Sequence, residues 1–210
     1  MPRKPRTHCA ESIYHIYNRC INQEWFGGTP GYQWRVFETH LMALHYIFDV
    51  KIHAFVMMQN HYHLMAQFPQ SNMSRAMQHF GQNLSHDLRK PQNRINRIFS
   101  DRYKSSLIGN CEKSILNLYK YIYLNPVKAG ICSQAENYRY STLNGLLGYQ
   151  PLRVPMTFDS ILFGNSLSES LRWINDLPAA ESYWDLLSFR VRQSRFRALK
   201  DPKNRRLIVI

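Results

Sequence analysis

The chain has 210 residues, with 27 Lys and Arg against 14 Asp and Glu, a formal charge of +13. Apolar residues make up 44%, enough for a buried core, which excludes a wholly disordered chain. No apolar run approaches the roughly 18 to 20 residues of a membrane span. The basic start, Met1 to Arg6, leads into His8, Cys9 and Glu11 rather than an apolar signal core, so a cytoplasmic location is expected.

Ser12 to Arg19 is rich in β-formers and reads as a first strand. A glycine-rich turn at 27–31 follows. Phe37, Leu41, Leu44, His45 and Phe48 recur at helical spacing, predicting a helix over about 34–48. Lys51 to Met58 and His61 to Phe68 read as strands joined by a turn at Gln59-Asn60. Ser74 to Leu88 reads as a second helix ended by Lys90-Pro91. Tyr103 to Ile108 reads as a fourth strand and Ser114 to Leu124 as a third helix, with Ser114 as its N-cap. The order β-α-β-β-α-β-α suits an α+β fold, an antiparallel sheet of the ferredoxin-like or RRM-like kind with helices against it. Residues 1–150 form one unit on this reading. Residues 151–210 form an appended helical extension, with helical patterns near 168–176 and 181–192. It ends in a cationic tail, Arg190, Arg192, Arg195, Arg197, Lys200, Lys203, Arg205 and Arg206.

The charge points to a polyanionic partner, because displacing counterions from phosphates drives association with nucleic acid. Thirteen Tyr, eleven Phe and four Trp favour nucleic acid over an anionic membrane, since bases stack on such rings. Cys9, Cys20, Cys111 and Cys132 lack metal-type spacing and are expected to be reduced.

Two local patterns carry chemistry. In Asn60-His61-Tyr62-His63, strand alternation puts His61 and His63 on one face and Tyr62, Leu64, Ala66 and Phe68 on the other. Two imidazoles so placed can converge on a divalent cation, although an isolated H-x-H also arises by chance. The other histidines, His15 among them, are expected to pack or lie on the surface. In Tyr119-Lys120-Tyr121-Ile122-Tyr123-Leu124-Asn125-Pro126, Tyr119 and Tyr123 fall on an apolar helical face and read as core rings. Tyr121 lines up with Asn117 and Asn125. Pro126 disfavours helical geometry at Asn125, so the helix is expected to end there. Lys120 and Lys128 read as solvated or phosphate-facing.

In their order and spacing, several blocks over about 2–140 resemble the single-tyrosine HUH transposases, most closely the REP-associated branch. These are 2–6, Tyr14-His15-Ile16-Tyr17-Asn18-Arg19, the run from Ile52 to Leu64, Phe99-Ser100-Asp101-Arg102-Tyr103-Lys104-Ser105, and 121–130. One departure is Gln59, where the family's turn usually carries proline. The resemblance implies a nuclease fold with His61 and His63 as metal ligands, Asn125 as the third, and Mg²⁺ or Mn²⁺ as the metal. It implies Tyr121 as the nucleophile, forming a 5′-phosphotyrosine on single-stranded or hairpin DNA. Arg3, Lys4, Arg6, Asn18, Arg19, Arg102 and Lys104 would contact that DNA. It implies a bacterial, nucleoid-associated protein, with a monomer slightly favoured over a dimer. The alternatives are an RRM-like nucleic-acid binder without catalysis, or a domesticated host factor that processes repeats. A hydrolytic metalloenzyme is a weaker rival, since no Asp or Glu clusters near the histidines in sequence. The cationic tail could clamp DNA or cover the site before DNA arrives.

Overall fold

The computed structural model describes residues 9–164, 166–177, 181–196 and 199–200. Four strands, β1 (Ile13–Arg19), β2 (Lys51–Met57), β3 (His61–Gln67) and β4 (Lys104–Gly109), form one sheet in the order β2-β3-β1-β4. Every pairing is antiparallel. The three principal helices are α1 (Pro30–Phe48), α2 (Met73–Arg89) and α3 (Glu112–Lys128). The expected α+β class, β-α-β-β-α-β-α order and antiparallel sheet are what the chain adopts.

Helix α1 begins four residues before the point where apolar periodicity becomes legible. Thr29 caps it, its Oγ1 accepting the Tyr32 N–H at 3.3 Å, and Pro30 supplies a first-turn residue with no N–H to satisfy. The sheet buries both faces, and alternation sorts its side chains. Tyr14, Ile16, Phe55, Tyr62, Leu64, Ala66 and Phe68 join α1 and α2 in one core. Ile13, Ala54, Val56, Met65 and Ile108 join α3 in the other. Burial of apolar area on two sides, worth ~25 cal/mol per Å², is what makes a four-stranded sheet of this size stable.

The extension contributes to that second core rather than forming a separate one. Helices α4 (Thr142–Leu146), α5 (Ser160–Phe163), α6 (Leu167–Asn175) and α7 (Glu181–Arg190) follow α3. Leu143, Leu162, Ile174, Leu187, Val191 and Phe196 are buried in the α3 cluster. The segments after α3, Tyr140 ahead of the extension and Thr157, Ser194 and Phe196 within it, also pair with both outer strands. On β2, the Met57 N–H donates to Tyr140 O at 3.0 Å and the Thr157 N–H to Ile52 O at 2.8 Å. On β4, the Leu107 N–H donates to Ser194 O at 3.1 Å and the Phe196 N–H to Leu107 O at 2.8 Å. No helix among the described residues is long and apolar enough to cross a membrane. All four cysteines are free, with Cys20 buried, Cys132 half-buried, and Cys9 and Cys111 exposed.

Candidate active site

The antiparallel register of β1 and β3 builds the site. Tyr17 lies opposite His63, and Arg19 opposite His61. His15, two residues before Tyr17, is therefore the diagonal neighbour of His63 on the same face. That face looks toward α3, which carries Tyr121. The Tyr121 ring stands edge-on to His63, with centroids 5.4 Å apart, and edge-on to His15 at 5.6 Å. The His61 and His63 rings are 5.2 Å apart and perpendicular. The H-x-H pair and the helical tyrosine, remote in sequence, thus meet.

Each imidazole has a defined partner. His63 Nδ1 lies 2.9 Å from His15 Nε2, and His15 Nδ1 lies 3.0 Å from Val191 O. His61 Nδ1 lies 2.7 Å from Asn60 Oδ1. His63 Nε2 is buried with no hydrogen-bond partner. Such an orphan is costly in a stable core and is the kind of atom a cation would satisfy. The donor set fits a divalent cation on the Nε2 atoms of His61 and His63. Among the described residues no group of three or more His, Cys, Asp or Glu could hold a metal, so further ligands would have to be of other types.

Burial governs the charge state. Desolvation pushes the His15 and His61 pKa values down to about 4, with Arg19 and Arg192 lowering His61 further. The same desolvation, and repulsion from the neighbouring imidazoles, hold His63 well below the usual value. All three are neutral near pH 7, the form a metal requires. An unfolded histidine takes up its proton near pH 6.5. Between about 6.5 and 4 the unfolded chain therefore binds more protons than the metal-free fold. This part of the stability is complete above about pH 6.5 and is lost as pH falls toward 4, at about 1.4 kcal/mol per pH unit for each ring. Urea midpoints of the metal-free protein should drop clearly between pH 7 and pH 5. A midpoint flat over that window would contradict neutral buried rings.

Three expectations about the tyrosine helix need correction. The helix does not end at Asn125, and Pro126 lies inside it. Proline removes the N–H that Ile122 O would accept. The Asn125 side chain offers a substitute, its Nδ2 reaching Tyr121 O at 2.6 Å and Ile122 O at 3.5 Å. The helix closes instead at Gly130, whose φ of +69° lets the Ile131 N–H reach Pro126 O and its own N–H reach Val127 O. The start also differs, since Cys111 rather than Ser114 occupies the N-cap. Lys120 is buried, with Nζ 5.0 Å over the Trp173 ring, and desolvation lowers its pKa to about 8. Lys128 Nζ lies 5.4 Å over the Trp184 ring. Lys120 is therefore not solvated, whereas Lys128 keeps partial exposure. Tyr119 and Tyr123 are core rings as expected: Tyr119 donates to Asp159 Oδ2 at 2.9 Å, and Tyr123 lies 3.3 Å from Thr142 Oγ1.

Tyr121 is itself only 1% exposed. Trp184 of α7 stacks on it, with centroids 5.3 Å apart and planes 27° apart. The turn after α7 adds the Val191 carbonyl and places Arg192 near the imidazoles. Composition and spacing do not reveal these residues as part of the site. The role of His15 is equally hidden, because only the β1–β3 register makes it a neighbour of His63. The surface role or independent packing expected of it gives way to a place in the histidine cluster.

The DNA-contact candidates divide. Arg19, Arg102 and Lys104 are exposed, Arg19 opposite His61 on β3 and Lys104 opposite Tyr17 on β1. Asn18 is buried, its Nδ2 donating to Asp101 O at 3.1 Å and its Oδ1 accepting the Arg19 N–H at 2.9 Å. Arg3, Lys4 and Arg6, and the tail residues Arg197, Lys203, Arg205 and Arg206, lie outside the described residues.

The sheet thus presents an H-x-H pair to a tyrosine of α3. The family described as Transposase IS200 like matches residues 11–125, more than half of the chain, and the chain belongs to that family. Among solved structures, the fold is similar to that of the REP-associated tyrosine transposase bound to a REP hairpin. The two share 18% identity with a TM-score of 0.57, over 77% of this chain and 96% of the other. A tRNA(His) guanylyltransferase from Saccharomyces cerevisiae shares 9% identity with a TM-score of 0.42, over 98% of this chain and 93% of the other, too distant to carry an argument. A search of curated proteins by sequence found no match.

Proposed function

We propose that this transposase cuts and rejoins single-stranded or hairpin DNA through a covalent link to Tyr121. Residues 1–150 would carry the chemistry and 151–210 would form a cover over it. The observation that carries the reading is the edge-on approach of Tyr121 to His63, whose Nε2 is buried and unpartnered. A binding module without catalysis has no use for that nitrogen.

His61 and His63 would hold Mg²⁺ or Mn²⁺ through Nε2, with the Asn125 carbonyl oxygen as a third ligand. The Asn125 Nδ2 is already committed to Tyr121 O, which leaves Oδ1 as the coordinating atom of that side chain. A divalent cation bound there supplies charge withdrawal and orientation for a phosphodiester. The Tyr121 phenol would give up its proton to solvent as its oxygen attacks phosphorus, forming the O–P bond of a 5′-phosphotyrosine while the bond to the 3′ oxygen breaks. That oxygen takes a proton and leaves as a 3′-hydroxyl. The phosphotyrosine conserves the diester, so rejoining by the reverse attack needs no nucleotide cofactor. Arg19, Arg102 and Lys104 would position the backbone by charge, with Arg3, Lys4 and Arg6 adding to that field and Asn18 holding the Asp101 loop in place.

The test uses the full chain, Mn²⁺ or Mg²⁺, and an end-labelled hairpin oligonucleotide. A denaturant-resistant protein–DNA adduct is expected with metal and none after EDTA treatment. Undiminished cleavage in EDTA would remove the cation from the reading, and tight hairpin binding with no cleavage in either metal would favour the binding module.

A further inference from the structure

We propose that His15 is a positioning residue, which fixes the proton of His63 on Nδ1 and leaves Nε2 as a bare lone pair toward the cation site. The inference rests on the reading of His63 as a ligand. It adds a residue that neither touches DNA nor would coordinate metal.

Hydrogen-bond polarity gives the argument. The Val191 carbonyl can only accept, so the His15 nitrogen 3.0 Å away, Nδ1, must carry a proton. A neutral imidazole has a single N–H, which makes His15 Nε2 an acceptor. Its partner 2.9 Å away, His63 Nδ1, must then be the donor. His63 is left with its lone pair on Nε2, the same atom that is buried and unsatisfied. The chain of donation runs from His63 to His15 to the backbone of the α7 turn without an ambiguous link.

A second, shorter relay does the same for His61. Asn60 Nδ2 donates to Gln23 O at 2.8 Å, which orients the amide and turns Oδ1 toward His61. His61 Nδ1, 2.7 Å from that oxygen, must donate, and its lone pair is again on Nε2. Two neighbouring rings are therefore set in the same tautomer by two independent partners, as expected where both supply one ion. Partners that orient a ligating histidine typically change metal affinity by about 10- to 100-fold when removed. Ring orientation agrees with the proton assignment: His15 is nearly coplanar with His63, with centroids 5.1 Å apart, as an in-plane N–H···N bond requires, and it lies nearly parallel to Tyr17 at 5.1 Å. Without His15, the proton on His63 is free to move to Nε2 and block it.

The test compares full-length wild type, His15→Phe and His15→Gln. Phenylalanine keeps a ring beside Tyr17 but not the acceptor, whereas the glutamine amide oxygen can stand where Nε2 stood. In the metal-free wild type, ¹⁵N–¹H ring correlations should show His63 protonated on Nδ1. His15→Phe should shift His63 toward the Nε2–H form and weaken Mn²⁺ binding, followed by the EPR signal of free Mn²⁺, by about 10- to 100-fold. His15→Gln should restore the tautomer and most of the affinity. Wild-type His63 carrying its proton on Nε2 overturns the proposal with no variant needed. So does a His15→Phe protein that keeps both the Nδ1–H tautomer and wild-type Mn²⁺ affinity. A tautomer that responds to His15 in a protein that takes up no Mn²⁺ supports the relay and overturns the cation site instead.

Discussion

Tyr121→Phe should abolish the covalent protein–DNA adduct and lower cleavage by about 10³-fold or more, because no other group can take over the bond to phosphorus. The substitution isolates chemistry from packing. Phenylalanine retains the ring that stacks on Trp184 and stands edge-on to His15 and His63. Thermal stability should therefore hardly change. The neighbouring tyrosines provide the contrast. Tyr119 and Tyr123 are bonded to Asp159 and Thr142 in the α3 core, where desolvation raises both phenol pKa values. Their Phe variants should keep the adduct and lose stability. Adduct persisting in Tyr121→Phe on denaturing gels would end the assignment of the nucleophile.

Trp184→Ala should raise the initial rate on hairpin DNA, by roughly tenfold. With Tyr121 as the proposed nucleophile, a phosphodiester could not reach a ring that is 1% exposed unless the α7 segment moved first. An aromatic stack contributes ~0.5–1.5 kcal/mol and a cation–π contact ~0.5–1 kcal/mol. Both hold Trp184 down, through Tyr121 and Lys128 respectively. Losing both favours the open form by ~1–2.5 kcal/mol, and each 1.4 kcal/mol is about a factor of ten in population. Lys128→Ala should move the rate the same way by less. A Trp184→Ala protein that is less stable and no faster would show that the ring only packs, or that it holds DNA.

The sheet was legible because alternation is a local signal: His61 and His63 against Tyr62 and Leu64 can be read without knowing what lies opposite. The end of α3 was misjudged because the rule for Pro126 is also local, and the Asn125 amide that relieves the missing donor is a side-chain compensation. His15 needed the register of two strands whose starts, Ile13 and His61, are 48 residues apart. Trp184 and Val191 needed the path of a segment that begins after α6. The shared face of His61 and His63 was thus readable from the sequence, while the neighbours that pack against it, His15, Trp184 and Val191, are products of tertiary placement.

The pairing of the segments after α3 with β2 and β4 has a consequence for self-association. An open four-stranded sheet exposes two unfinished ladders, each a template for a foreign strand. Here Tyr140 and Thr157 finish one, and Ser194 with Phe196 finishes the other. A second copy of the chain, or an extended peptide, finds no continuous rim to add to among the described residues. A C-terminal truncation that removes Trp184 to bare Tyr121 also removes Ser194 and Phe196 and so bares β4, and clumping could then pass for inactivity; a point substitution at Trp184 uncovers the ring and keeps the ladder.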